Sequence, residues 1–256
     1  RFMNTGKPLF TVITVVYNCA DSIEQTIRSV LSQTCSSMEY IIVDGGSTDG
    51  TLEIIDRYKD SVSKFVSKPD RGIYDAMNRG IAMAEGLWIN FMNSGDTFTD
   101  PSVLTQVKEF IEAGDYDIIY GDIYELFPDG TQHRKEAEHR PASKHRMFFC
   151  HQASFVKTEI LREIGFDIRY RMSADLKFFK QCYNKKYRFG HMPIQVAIFD
   201  KKGISSRKRD LGLMENIRVV NELDRSWART KSLIRLWFTI TYIRKIRRHP
   251  RRDTSY

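Results

Sequence analysis

The sequence predicts an α/β fold with a mostly parallel central sheet flanked by helices, a mixed second half and a basic helical tail. Three observations carry this. A β-branched, aromatic run opens the chain at 10–17 (FTVITVVY), as a strand buried on both faces requires. Short apolar runs then alternate with segments of helical period as far as Asp96, the pattern of repeated βα units. Finally, basic residues crowd the end of the chain: positions 1–200 hold 24 Lys/Arg against 27 Asp/Glu, and positions 201–256 hold 16 against 5.

Each element has its own reason. Phe10 to Tyr17 is the first strand, and Asp21 is placed to cap a helix whose apolar stripe is Ile23, Ile27, Val30 and Leu31. Tyr40 to Val43, Lys64 to Ser67 and Leu87 to Met92 follow as strands, separated by helices over Thr51 to Tyr58 and Tyr74 to Ala84. Beyond Asp96 a helix is expected over Ser102 to Ala113. A hairpin then turns at Pro128-Asp129-Gly130 between Asp117 to Phe127 and Thr131 to Arg134. Helices are predicted over Lys157 to Ile164 and Ala174 to Tyr183, and strands over Tyr187 to His191 and Gln195 to Phe199. Two helical segments close the chain, Leu211 to Leu223 and Ser226 to Arg248. The organisation is therefore a ligand-binding half over 8–100, a second half of the same domain over 101–208, and a tail over 209–256.

Composition narrows the class. With 256 residues, 41% hydrophobic and 28% charged, the chain is neither disordered, collagenous nor a disulfide miniprotein. No run of 18 apolar residues exists to span a bilayer, and residues 1–7 precede no signal-like apolar stretch, so a cytoplasmic location is expected. Cys19, Cys35, Cys150 and Cys182 form no C-x-x-C pair and are expected to be reduced structural thiols.

In an open parallel sheet, ligands bind beyond the carboxyl ends of the strands. Those ends carry Tyr17-Asn18, Asp44-Gly45-Gly46-Ser47-Thr48-Asp49-Gly50, Pro69-Asp70-Arg71-Gly72 and Asn93-Ser94-Gly95-Asp96. The glycines at 45, 46 and 50 match neither a dinucleotide fingerprint nor a P-loop, and Asp49 and Ile55 stand where an EF-hand needs Gly and Glu. A tight turn with Ser47 or Asp49 as a cap is the plainer reading of that loop. Asp96, after the apolar strand WINFM, suits a divalent cation shared with a diphosphate, or else caps the helix after Pro101.

Taken in order, TVVYN at 14–18, VDGGSTDGT at 43–51, PDRGIYDAMNRGI at 69–81 and NSGD at 93–96 resemble glycosyltransferase family 2 over residues 8–200. The resemblance implies a GT-A fold, Rossmann-like, and inverting transfer of a sugar from a nucleotide diphosphate-sugar to a saccharide or lipid-linked acceptor in cell-surface polysaccharide synthesis. It assigns Tyr17, Asn18, Asp44, Gly45, Arg71, Asn78, Ser94 and His151 to nucleotide-sugar binding, and Asp96 to a divalent metal, Mg²⁺ or Mn²⁺. The chain departs from the family where Gly45 replaces the second carboxylate of D-D-G-S, which bears on the nucleobase, and where NSGD leaves one carboxylate for the metal.

Inverting transfer needs a carboxylate to take the acceptor proton. Asp175, at the start of a helix, is the candidate; an ordinary first-turn Asp favoured by the helix dipole is its bland counterpart. His151-Gln152 is expected at the diphosphate or acceptor, although a packed core histidine fits equally, and Gly203 to Arg207 is a candidate closing loop. In the tail, Trp227, Trp237, Phe238 and Tyr242 lie among Arg229, Arg235, Arg244 and Lys245. That mixture suits an anionic membrane surface through 226–252, on the inner face of the cytoplasmic membrane. Packing on protein is the next reading, and no nucleic-acid partner is expected because the body of the chain is acidic. The rival functions are a sugar-phosphate nucleotidyltransferase, which needs a basic Gly-rich loop that Tyr17-Asn18-Cys19-Ala20 lacks, and a noncatalytic scaffold.

Overall fold

The computed structural model describes residues 6–138, 146–202, 209–224 and 227–248. Its strands are β1 (Phe10–Val16), β2 (Met38–Asp44), β3 (Lys64–Ser67), β4 (Trp88–Phe91), β5 (Thr97–Phe98), β6 (Ile118–Leu126), β7 (Gln132–Lys135), β8 (Ser154–Lys157) and β9 (Phe189–Asp200). Its helices are α1 (Ile23–Leu31), α2 (Thr51–Asp56), α3 (Ile73–Met83), α4 (Val103–Ala113), α5 (Thr158–Ile164), α6 (Ala174–Asn184), α7 (Arg209–Leu223) and α8 (Trp227–Arg248).

One sheet runs through both halves in the order β3-β2-β1-β4-β8-β6-β9-β5, with β7 paired to β6. The first four strands are mutually parallel, and β8 joins β4 antiparallel through Trp88↔Lys157 and Ile89↔Val156. Every residue of β1 is buried, so the strand feeds two cores. Ile13 and Val15 belong to the cluster that holds Tyr74, Met77 and Ile81 of α3 and Phe178 of α6. Val12 and Val16 belong to the other, with Ile23 and Ile27 of α1 and Val107 of α4. Burying each such side chain contributes about 1.5–3 kcal/mol, which is why continuous apolar runs mark these strands.

The expected βα alternation is present, with differences that have physical causes. Asp21 is not the cap of α1: the cap position is Ser22, without a side-chain cap bond. The helix expected to run to Tyr58 ends at Asp56 and is followed by a 3₁₀ turn over Lys59–Ser61. Lys157 belongs to β8, which, like the two-residue β5, is too short to show a period. The two strands expected at 187–191 and 195–199 are one, β9, in which Pro193 is exposed. The pairing steps from Tyr120↔His191 to Asp122↔Gln195, so Pro193 sits in a bulge, where a missing N–H costs no ladder bond.

The tail is docked rather than detached along α7. Glu215 of α7 is buried and accepts backbone N–H bonds from Arg171, Met172 and Ser173 at 2.7–3.1 Å. Glu222 accepts from the Tyr170 hydroxyl at 2.6 Å and pairs with Lys177. Along α8, Leu236 and Ile240 are buried, whereas Trp237, Phe238 and Tyr242 face outward. No described helix is long and apolar enough to cross a membrane. The Gly203 to Arg207 loop lies outside the described residues.

Candidate active site

The carboxyl ends of β1, β2 and β4 bring the sequence motifs to one edge of the sheet. Asp44, at the end of β2, is wholly buried and organises the loop that follows. It accepts from the Gly46 and Ser47 N–H groups at 2.9 and 3.0 Å, and from the Ser47 and Ser67 hydroxyls at 2.5 and 2.7 Å. The same loop is latched to the end of β1. Asn18 donates its N–H to Ser47 Oγ at 2.8 Å and accepts from the Thr48 N–H at 2.8 Å, with φ of 50°. Asn is among the few residues that hold that left-handed geometry cheaply. Gly46, at φ of 89°, makes the turn away from the strand. Tyr17 is left projecting, with 61% of its surface exposed.

Two further expected ligand residues, like Asn18 and Asp44, are bonded within the protein. Arg71 is exposed and pairs with Asp75 at 2.9 Å. Asn78 donates to the Phe166 carbonyl at 2.8 Å and accepts from the Phe166 N–H at 2.9 Å, so its amide ties α3 to the turn after α5.

Asp96 lies at the second centre. Helix α1 holds the preceding turn: Thr26 accepts from the Gly95 N–H at 3.0 Å and donates to the Asp96 carbonyl at 2.8 Å. The Asp96 carboxylate accepts from Gln152 Nε2 at 2.9 Å and from the Asp200 N–H at 2.9 Å. Burial, with a smaller contribution from the negative charge of Asp200, pushes its carboxyl up to about 7. Asp200 itself lies beside the turn, since a Cβ built on Gly95 would be 3.7 Å from its Oδ2.

Among the described residues no group of three His, Cys, Asp or Glu forms a ready metal cage. The residues present nonetheless fit a hard divalent cation. Asp96 and Asp200 supply carboxylate oxygen, and on the same turn the buried Asn93 Oδ1 and Ser94 Oγ have no hydrogen-bond partner among the described residues. An all-oxygen set that is short of ligands is what Mg²⁺ or Mn²⁺ completes with phosphate and water.

The third centre is Asp175, in the first turn of α6, with 21% of its side chain exposed. The buried Tyr74 hydroxyl donates to Oδ1 at 3.0 Å, and His151 Nδ1 stands 4.0 Å from Oδ2. Burial, then the Asp175 charge, raises the Tyr74 hydroxyl well above its usual value, so it stays a donor. The His151 ring packs among Phe91, Phe166 and Phe179, and burial lowers its pKa. The arrangement is one partly exposed carboxylate, held at Oδ1 by a donor that cannot itself take a proton.

Sequence reasoning missed Asp200, Tyr74 and Glu215. Asp200 carries a signal, an acid directly after the apolar run VAIF at a strand's end, like Asp44. Tyr74 and Glu215 carry none, because their partners are distant in the chain.

Residues 11–189 match the family model described as Glycosyl transferase family 2. A PGL/p-HBAD biosynthesis glycosyltransferase of Mycobacterium bovis is 29% identical over 94% of this chain and all of its own length. Among solved structures, S. aureus TarS 1–349 in complex with UDP-GlcNAc superposes with a TM-score of 0.68 at 17% identity, over 86% of this chain and 68% of that one. A Pyrobaculum calidifontis mannosyltransferase in complex with GDP-Man and Mn²⁺ does so with 0.66 at 18% identity, over 85% and 64%.

Proposed function

The chain belongs to glycosyltransferase family 2 and is a glycosyltransferase, and from that premise we propose an inverting enzyme that moves a sugar from a nucleotide diphosphate-sugar to a saccharide or lipid-linked acceptor. The observation that carries the reading is the Asp175 carboxylate, fixed by Tyr74 and partly exposed, and joined to the Asp96 centre through the adjacent residues His151 and Gln152.

Each residue then has a task. Tyr17, Asn18, Asp44 and Gly45 shape the nucleoside end, Asn18 and Asp44 by fixing the loop and Tyr17 by offering its ring. Arg71 swings from Asp75 to the donor, whose two phosphates it partly neutralises. Asn78 acts at one remove, by holding the turn at Phe166. Asp96, with Asp200, Asn93 and Ser94, would hold Mg²⁺ or Mn²⁺, which offsets charge on the departing diphosphate. As the bond from the anomeric carbon to the diphosphate breaks, the acceptor oxygen bonds to that carbon from the opposite face and its proton passes to Asp175. His151, neutral and boxed by aromatic rings, fixes the wall beside Asp175.

Support for the donor class comes from the UDP-GlcNAc and GDP-Man complexes of structural neighbours, and for a lipid-linked acceptor from the outward aromatics of α8. Those aromatics, with the basic residues around them, would rest on an anionic membrane surface at the cytoplasmic side.

The test is thermal stabilisation by UDP, GDP, CDP and dTDP with and without Mn²⁺, since a ligand of the native state raises its stability. A metal-dependent rise with one nucleotide, abolished in Asp96→Ala, is the expected result. No rise with any nucleotide overturns the donor site.

A further inference from the structure

At the nucleoside end, three residues on three different loops meet. Gly45 follows β2 directly, and a Cβ built on it would lie 2.6 Å from Asp70 Oδ2 and 3.3 Å from Tyr17 Cδ2. Gly45 has no left-handed φ, unlike its neighbour Gly46, so what glycine supplies at 45 is close approach and not backbone geometry. The space is taken by the Asp70 carboxylate. Its Oδ1 accepts from the Gly72 N–H at 2.8 Å, which sets its direction, and Oδ2 is turned toward Gly45 and the Tyr17 ring. Among the described residues no donor reaches that oxygen. A side chain at 45 would meet Asp70 Oδ2, and with glycine there the Asp70 carboxylate occupies this position.

We propose that Asp70 selects the nucleobase of the donor: Oδ2 accepts the ring N–H of a base stacked on Tyr17. The inference rests on the nucleotide-sugar reading above and deepens it. Uracil and thymine present an imide N–H between two carbonyls, and guanine presents a ring N–H beside its amine. Cytosine presents a ring lone pair there, which opposes the carboxylate lone pairs. The slot therefore takes a uridine, thymidine or guanosine diphosphate and rejects cytidine diphosphate. A hydrogen bond to a charged acceptor discriminates by about 10- to 100-fold.

Isothermal titration with UDP, dTDP, GDP and CDP in Mn²⁺ tests this on three forms of the chain, each checked for an intact thermal transition. The wild type should bind one of the first three at least about 10-fold more tightly than CDP. In Asp70→Asn the amide oxygen still accepts from Gly72 while the amide nitrogen donates to the cytosine lone pair, so the preference should vanish or invert. The double variant Gly45→Asp with Asp70→Ser moves the carboxylate into the vacated space and should restore it. Tyr17→Ala should weaken all four nucleotides alike, because stacking does not read base edges. If a diphosphate binds the wild type and Asp70→Asn leaves order and affinities unchanged, the assignment of Asp70 is overturned while the donor site stands. If no diphosphate binds the wild type, the donor reading falls and this inference with it.

Discussion

The Tyr74 hydroxyl donates to Asp175 Oδ1 at 3.0 Å across 101 positions of sequence, joining the first turn of α3 to the first turn of α6. One carboxylate oxygen is thereby fixed, and the other is left for an incoming proton. Asp175→Asn should lower turnover by about 10²–10⁴-fold with nucleotide affinity retained. Tyr74→Phe, which removes only the donor, should cost turnover about 10-fold, the worth of one hydrogen bond in positioning. Steady-state kinetics with a labelled donor, beside nucleotide titration, separates the two; unchanged turnover in Asp175→Asn would remove it from the mechanism.

Glu215 connects the tail to that same carboxylate. Its side chain accepts the N–H groups of Arg171, Met172 and Ser173, the segment that leads into α6. Glu215→Ala strands three donors, of which the Ser173 N–H is buried, and should cost about 1–3 kcal/mol in urea unfolding. Glu215→Gln, which keeps an acceptor oxygen, should recover most of it. Turnover should fall further than nucleotide affinity in the alanine variant, because the displaced loop carries Asp175 and not the nucleoside edge.

His151 gives a pH signature with a definite sign. Burial holds its folded pKa below the ordinary 6.5, so the unfolded chain binds a proton there that the folded chain refuses. Its contribution is fully present above about pH 6.5 and is lost as pH falls, by at most about 1.4 kcal/mol per pH unit. His151→Gln should flatten the decline in melting temperature between pH 7.5 and 5.5. Parallel curves for variant and wild type would refute it.

Asp96 and Asp200 make a prediction about cation affinity that does not depend on catalysis. Mn²⁺ followed by electron paramagnetic resonance should bind weakly to the chain alone and more tightly with a nucleoside diphosphate, which supplies the missing oxygen ligands. Asp96→Asn should abolish the tight phase, and Asp200→Asn should weaken it about 10-fold or more, one charged ligand's worth. Equal Mn²⁺ affinity in Asp200→Asn would confine the cation to the NSGD turn.

What could be read in advance follows from the range of each interaction. β1, β2 and β4 are buried on both faces, so their apolar runs declare them, and the edge motifs follow by counting to the strand ends. β5 and β8 have two and four residues, too few for a period, and exist because β9 and β4 offer them partners. Pro193 reads locally as a break, and only the pairing with β6 shows that a bulge absorbs it. The site divides the same way. Asp44, Asp96 and Asp175 announce themselves by position, but no spacing predicts that the Asp70 carboxylate lies beside Gly45, or that a tail glutamate holds the loop before α6. The membrane-facing reading of the tail concerns 226–252, and nothing local in the sequence shows that Glu215 and Glu222 tie the preceding helix, α7, to the body of the protein.

The bond from the Asp200 N–H to Asp96 closes a loop of 104 residues. During synthesis the ribosome releases the first four strands long before Asp200 emerges, so the early α/β half is made with its central carboxylate unfinished. Premature termination between β5 and β9 therefore yields a fragment with most of the nucleoside edge and no completed Asp96 centre. Splitting the chain in the hairpin between β6 and β7 and supplying both pieces together is an arrangement in which the early half would regain it.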